Sequence, residues 1–367
     1  MKLICDGLDL SDAINKVSRA LPQKAVNPVM EGIKLTAKGK KLTLFASDSE
    51  ISIQKNVCAD IIEEGEILVP GRFLGEYVRK LTNQKIELFN NERNQLRIRY
   101  GDSEGFVQLL KNSEYPYDQK EKGEQKIEIE QTNLKDAIEK TIFAVSQDDS
   151  RPVLKGCLME FEGLRLTMVA LDGYRMALNK KNLSKTTEYK KIIVPAKSLA
   201  EISRMVGEKE EIAEIYLMEN YAVFKFEDTE VSTHLINGEY INYNQLLPEN
   251  YETNIVVNKN EMEESLDRAS LPSKQDKNNL VKLEIREGLM TISGTSEMSN
   301  VKENVPVSLK GKDLNIAFNA RYLADCLRVI EKDFIQMNFT TSVSPSTIMP
   351  CESDESVYLV LPVRMMG

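Results

Sequence analysis

The chain has no tryptophan, one histidine and five cysteines among its 367 residues. A lone histidine excludes His-rich metal centres and leaves His234 as the one position for a histidine base. Cys5, Cys58, Cys157, Cys326 and Cys351 are odd in number, far apart and never spaced Cys-x-x-Cys, which argues against a disulfide framework. Such thiols read as small hydrophobes in a reducing compartment. No stretch approaches the roughly 20 apolar residues of a membrane helix. The N-terminus reaches Asp6 too early for a signal-peptide core, and together these absences predict a cytoplasmic protein. Neither G-x-x-x-x-G-K-[ST] nor G-x-G-x-x-G after a strand occurs, so no phosphate-cradling site is supported and no cofactor or metal is expected. Basic residues are also in deficit. Against 57 Asp plus Glu stand 48 Lys plus Arg, a net charge of −9, which as a bare sum argues against a nucleic-acid partner.

What is present is repetition. An apolar content of 41% and charged content of 29% are those of a globular chain long enough for two to four domains. Val69-Pro70-Gly71-Arg72-Phe73-Leu74 is echoed by Val194-Pro195-Ala196-Lys197-Ser198-Leu199 and by Phe318-Asn319-Ala320-Arg321-Tyr322-Leu323, about 124 residues apart each time. Thr43 to Asp48 recurs as Thr167 to Asp172 and as Thr291 to Ser296. Leu10-Ser11-Asp12-Ala13-Ile14 recurs as Leu134-Lys135-Asp136-Ala137-Ile138, with Met262 to Leu266 a weaker third copy. Three landmarks in one order at one spacing predict three tandem domains, 1–125, 126–250 and 251–367, with polar boundaries around Asp118 to Gln125 and Pro248 to Thr253.

Each repeat reads as helix, short strands, helix, short strands. Leu10, Ile14, Val17 and Leu21 share one helical face, and Leu74, Tyr77, Val78 and Leu81 share another. The copies of the second stripe are Leu199, Ile202 and Val206, then Leu323, Cys326, Leu327 and Ile330. Lys41 to Ala46 and Leu164 to Val169 alternate as half-buried strands. The predicted class is α+β, two helices packed on antiparallel sheet in every repeat.

The second helix of each repeat carries a basic, an acidic and a basic residue at i, i+4 and i+7: Arg72, Glu76 and Arg79; Lys197, Glu201 and Arg204; Arg321, Asp325 and Arg328. This is either a solvated face with a weak i,i+4 ion pair or a line of cations that tracks phosphates without reading bases. Recurrence in register puts the second on an equal footing with the first, with the acid keeping any contact loose. Asp48 and Asp172 resemble paired catalytic carboxylates, but the third copy has Ser296, which favours turn-forming Asp residues. Cys157 with His234 makes a poor nucleophile and base, since both lie in strand-like runs. At the end of the chain, Leu361, Pro362, Val363 and Met365 stay apolar beyond a strand. They read either as a frayed tail or as the wall of a groove for peptides.

Taken together, the three repeats, the segments Arg151 to Gly156 and Ala170 to Ala177, Phe318 to Leu323 and the ending Leu361-Pro362-Val363-Arg364 resemble the bacterial sliding clamps, the beta subunits of DNA polymerase III. The resemblance spans the whole chain. It implies a non-catalytic processivity factor: a head-to-tail homodimer of three-domain chains closing a ring around duplex DNA without sequence specificity, with helices lining the hole. It places Arg72, Arg79, Lys197, Arg204, Arg321 and Arg328 facing the hole, with Lys24, Gln147 and Arg151 on loops toward DNA. The polymerase catalytic subunit, the clamp loader and other proteins would dock short peptides in a cleft formed by Leu154, Leu171, Gly173, Tyr174, Arg175, Met176, Pro248, Asn319, Tyr322, Val343, Leu359, Val360, Leu361, Pro362, Val363 and Arg364. Arg175 would be a hydrogen-bond donor on the rim and the aliphatic residues the anchor pockets. Phe106, Val107, Leu271 and Pro272 would form the dimer interface. The chain departs from the common pattern at Pro152-Val153, Tyr174 and Pro345, and in the trailing Met366 and Gly367.

Overall fold

A computed structural model describes residues 1–24, 27–81, 84–111, 115, 125–207, 210–274 and 279–364. The boundary segment 118–124, Met365 of the expected groove wall, and the trailing Met366 and Gly367 lie outside the described residues. Among the described residues there are six α-helices, two per repeat: α1 (Gly7–Val17), α2 (Gly71–Val78), α3 (Gln131–Glu139), α4 (Ala196–Met205), α5 (Lys259–Ser270) and α6 (Ala320–Arg328).

Each helix follows directly on a strand, and side-chain caps mark several of the turns. The Asp6 carboxylate accepts the Leu8 and Asp9 amides at 2.8 and 3.3 Å at the start of α1. Asn258 does the same for Asn260 and Glu261 in α5, and Asn319 for Arg321 in α6. Caps of this kind are worth about 1 kcal/mol each. Most of the apolar stripes expected from the periodicity are buried: Leu10, Ile14 and Val17; Leu74, Val78 and Leu81; Leu199, Ile202 and Val206; Leu323, Cys326, Leu327 and Ile330. Leu21, beyond the end of α1, and Tyr77 are half-buried. Gly7 is required at the head of α1, because a Cβ there would lie 2.6 Å from the Leu81 carbonyl oxygen.

The chain forms two compact units, one of Met1–Thr132 with Glu201–Leu235, the other of Asn133–Ala200 with Ile236–Gly367. These units do not follow the repeats, for a reason that lies in the backbone. In the first unit the strand Thr229–His234 of the second repeat pairs antiparallel with Ile51–Glu63 of the first, Val231 opposite Ile53. In the second unit Arg175–Pro195 pairs with Ser356–Val360 of the third repeat, Met176 opposite Leu359. Sheet hydrogen bonding therefore runs across the repeat junctions, joining among the described residues twelve strands in the first unit and ten in the second.

One expectation needs correcting. The strands around Leu164 to Val169 are not short: Gly156–Leu171 and Arg175–Pro195 form a hairpin of 16 and 21 residues. Pairing slips around Gly163, at a positive φ of 58°: Gly163 faces Thr187 and Arg165 faces Asn182, so that Leu183 to Thr186 form a bulge in the longer strand.

Candidate functional site

The tight turn joining the two long strands organises the candidate cleft in the second unit. The Asp172 amide donates to the Arg175 carbonyl, and the Asp172 carboxylate accepts the Tyr174 and Arg175 amides at 2.9 and 3.0 Å. Gly173 occupies the left-handed position the turn requires, φ 93°, beside the Arg151 guanidinium. The turn pushes Tyr174 outward, 61% exposed, where its ring stacks on Tyr322 at 6.1 Å between centroids. Asn319, capping α6, holds Tyr322 on the first turn of that helix.

Beneath the turn lies an apolar cluster of Leu154, Leu158, Val169, Leu171, Met176, Leu178, Ile193, Tyr243 and Leu359, with Leu361 packed against it. The chain end is pinned over this cluster by two backbone bonds of 2.8 Å, from the Leu361 amide to the Tyr174 carbonyl and from Val363 to Ala317. Leu361, Pro362 and Val363 are half-buried, and Arg364 is exposed. Of the expected cleft residues the structure thus gathers Leu154, Leu171, Gly173, Tyr174, Arg175, Met176, Asn319, Tyr322, Leu359, Val360 and Leu361 around one turn and the strand that ends the chain. Leu154, Leu171, Met176, Leu359 and Val360 form its buried floor rather than open pocket walls. Val343 is 62% exposed.

Arg175 is a correction. Expected on the rim, it is only 8% exposed, and all three of its guanidinium nitrogens are engaged. Nε donates to Asp172 at 3.0 Å, Nη1 to Asp325 at 2.6 Å and Nη2 to the Phe143 carbonyl at 2.8 Å, while the plane lies 4.7 Å from the Tyr322 ring centre. Burial opposes its charge, but the Asp325 hydrogen bond and the Asp172 and Asp325 charges outweigh that and hold its pKa above the ordinary value. Arg175 therefore supports the cleft from behind. From the segment before the third repeat only Pro248 is expected in the cleft, and it is half-buried. The structure adds Tyr240, Tyr243, Ile236 and Leu247 packed on the floor, and Ile241 and Leu246 exposed in the same loop. The available signal was an aromatic and aliphatic run, Tyr240 to Leu247, in a segment without helical or strand period.

The recurring cations are exposed in every copy: Arg72 and Arg79, Lys197 and Arg204, Arg321 and Arg328, as are Lys24, Gln147 and Arg151. In the first unit a groove of about 580 Å³ between α1 and α2 is lined by Arg72, Arg79, Glu76 and Asp12. Its counterpart in the second unit, about 650 Å³ between α5 and α6, is lined by Arg321, Arg328, Lys274, Glu263 and Asp267. The arginines sit on the second helix, and the acids other than Glu76 on the first. Arg72 donates to the Pro22 and Gln23 carbonyls at 3.1 and 2.7 Å and so steadies the turn carrying Lys24. Of the expected interface residues Phe106 and Leu271 are 54% and 56% exposed, the former under the Arg97 guanidinium, whereas Val107 and Pro272 are already buried within the chain.

The catalytic alternatives lose their chemistry. Asp48 accepts the Glu50 and Ile51 amides at 3.0 and 2.9 Å, the same turn that Asp172 makes one repeat later. The Ser296 amide closes the third version on Ser299. Cys157 is fully buried and burial pushes its thiol up to about 12, while His234 is exposed on its own strand. Among the described residues no group of three or more His, Cys, Asp or Glu is placed to hold a metal ion. No helix among them is long and apolar enough to cross a membrane.

Comparison with known proteins covers nearly the whole chain. Three family models match in tandem: DNA polymerase III beta subunit N-terminal domain at residues 1–119, central domain at 128–242 and C-terminal domain at 244–364. A beta sliding clamp of Staphylococcus aureus is 32% identical over 361 residues, 96% of each chain. Among solved structures, a DNA polymerase sliding clamp from Bacillus subtilis superposes with a TM-score of 0.96 at 31% identity, and a putative DNA polymerase III beta subunit from Eubacterium rectale with 0.95 at 30%, each covering 100% of both chains.

Proposed function

The chain belongs to the DNA polymerase III beta subunit family, the bacterial sliding clamps, and from that membership we propose how its residues divide the work. The protein is a non-catalytic processivity factor of DNA replication. Two copies close head to tail around duplex DNA. The exposed cations of α2, α4 and α6, with Lys24, Gln147 and Arg151, face the phosphates, and the mixed charge of the helix grooves lets the ring move along DNA without reading sequence. The cleft beside Tyr174 and the chain end takes short peptides from the polymerase catalytic subunit, the clamp loader and other replication proteins. The domain boundaries near residues 125 and 250 remain those of the repeats. The observation that carries this reading is the tandem match of three clamp-domain models to a chain whose second helix repeats one charge pattern three times.

A topological test separates encirclement from ordinary binding. Loaded by its clamp loader onto nicked circular DNA, the protein remains bound through a high-salt wash and is lost once the circle is linearised. Equal retention on both forms would contradict encirclement.

A further inference from the structure

The acid four residues into the second helix of each repeat does not do the same thing in all three copies. In the second repeat Glu201, its side chain 17% exposed, accepts Arg19 Nη1 at 3.0 Å. Arg19 belongs to Ser18–Ala20, the single turn that follows α1. In the third repeat Asp325, 13% exposed, accepts Arg175 Nη1 at 2.6 Å. Arg175 is in turn held by the Phe143 carbonyl, and Phe143 lies in Ile142–Ala144, the turn that follows α3. Arg19 and Phe143 occupy equivalent places in their repeats. At both junctions, then, the acid on the next repeat's second helix receives a guanidinium that lies against the turn after the preceding repeat's first helix. It is carried by that turn itself at Arg19, and by the first residue of the strand Arg175–Pro195 at Arg175.

The first of the three repeats differs. Its acid, Glu76, is exposed and has no hydrogen-bond or ion-pair partner among the described residues. At the other end, the turn after α5 is Leu271–Ser273, and Lys274 follows it at once. Leu271, at the place of Arg19 and Phe143, is 56% exposed. Lys274 meets Asp267 at 3.1 Å, with the side chains 49% and 74% exposed, a pair that water screens and that exchanges readily. One end of the chain thus presents the acceptor of a junction that is made twice internally, and the other end presents the turn and cation that should fill it. Surfaces of this kind are heterologous, and two copies related by a closing rotation satisfy both.

We propose that Glu76 of one copy receives Lys274 of a second copy, so that the subunit joint reproduces the two internal junctions. The proposal rests on the ring reading above and adds the latch to it. The opposed charges also register the exposed Leu271 edge, since a like-charge approach at this point is repulsive. The recurring acid thereby acquires a role unrelated to DNA: it joins one repeat to the next.

Charge exchange tests it, with dimer dissociation followed by sedimentation velocity across a dilution series of the full chain. E76K and K274E should each raise the dimer Kd at least tenfold, and E76K/K274E together should return it to within threefold of the native value. E76Q, nearly isosteric, guards against misfolding: with an unchanged thermal melt it should still raise Kd about threefold. A native-like Kd for E76K would overturn the latch, as would a double variant no tighter than the singles. A native chain that stays monomeric at every concentration would instead overturn the ring reading.

Discussion

Arg175 is the residue on which the candidate cleft turns, and its environment sets a quantitative expectation. Replacing it with Ala would strip Asp172, 14% exposed, of its guanidinium and leave Asp325, 13% exposed, only the exposed Arg328 and Arg321 at 3.2 and 3.9 Å. Breaking a buried ionic network from one side typically costs about 3–5 kcal/mol, so chemical denaturation of R175A should show a loss of that order. R175K keeps the charge but cannot span three acceptors with one ammonium, and it should fall between the two. A near-native midpoint for R175A would mean that the network contributes nothing. The thiols permit a second test. Burial pushes Cys5 and Cys157 up to about 12 and Cys326 higher still, so the reactive thiolate is scarce at pH 8. Alkylation followed by peptide mapping should mark exposed Cys58 first and those three only in denaturant. Half of this was legible in the sequence. An Asp at the end of a repeated strand announces the turn at Asp172, and scattered cysteines read as small hydrophobes, which holds for buried Cys5, Cys157 and Cys326 but not for exposed Cys58. The Asp325 partner, 150 residues away, has no local signature, and so a buried junction residue read as a rim donor.

At the level of elements, the helices were readable because a 3.6-residue period and a cap both leave marks in sequence. The strand partners were not. Pairing such as Val231 with Ile53 or Met176 with Leu359 is made by backbone groups that every residue carries. The same fact explains why the final strand matters to the cleft. Ser356–Val360 completes the sheet beside Tyr174, and the Leu361 and Val363 amides tie the tail to the Tyr174 and Ala317 carbonyls. Removing Leu361 to Gly367 should therefore weaken binding of a polymerase-derived peptide at least about a hundredfold, while the dimer persists, because the tail lies outside the proposed interface. A tryptophan placed in the peptide reports binding cleanly, since the chain has none of its own. Undiminished binding by the truncated protein would remove the cleft from this end of the molecule. Tyr174 offers a finer probe: Y174A keeps the turn, whose bonds come from Asp172, and should cost the peptide about tenfold by taking away the exposed face of the Tyr322 stack.

For the whole molecule the open question is charge. A chain at −9 can bind DNA only if its cations are gathered where DNA passes, and the helix pairs show how they are gathered. In the grooves of the first and third repeats the arginines stand on the second helix, and acids such as Asp12, Glu263 and Asp267 on the first. Among the recurring triplets Glu201 and Asp325, 17% and 13% exposed, are each shared between an arginine of the preceding repeat and the arginines of their own helix. These are Arg204 on Glu201 and Arg321 and Arg328 on Asp325, whose side chains are 57%, 76% and 71% exposed. The sequence pattern places these cations on the helix; that Glu201 and Asp325 also pair with arginines of the preceding repeat has no local signature. If the exposed cations neutralise phosphates, each neutralised phosphate contributes about 0.9 to the slope of log affinity against log salt. Combining Arg72→Ala with Lys197→Ala should then lower loading efficiency at physiological salt. The salt dependence should flatten by about one unit for every phosphate no longer neutralised, and affinity for a polymerase peptide should stay as it was. An unchanged slope with weaker loading would point instead to the turn that Arg72 steadies through the Pro22 and Gln23 carbonyls, and Lys24→Ala alone should then reproduce the weaker loading.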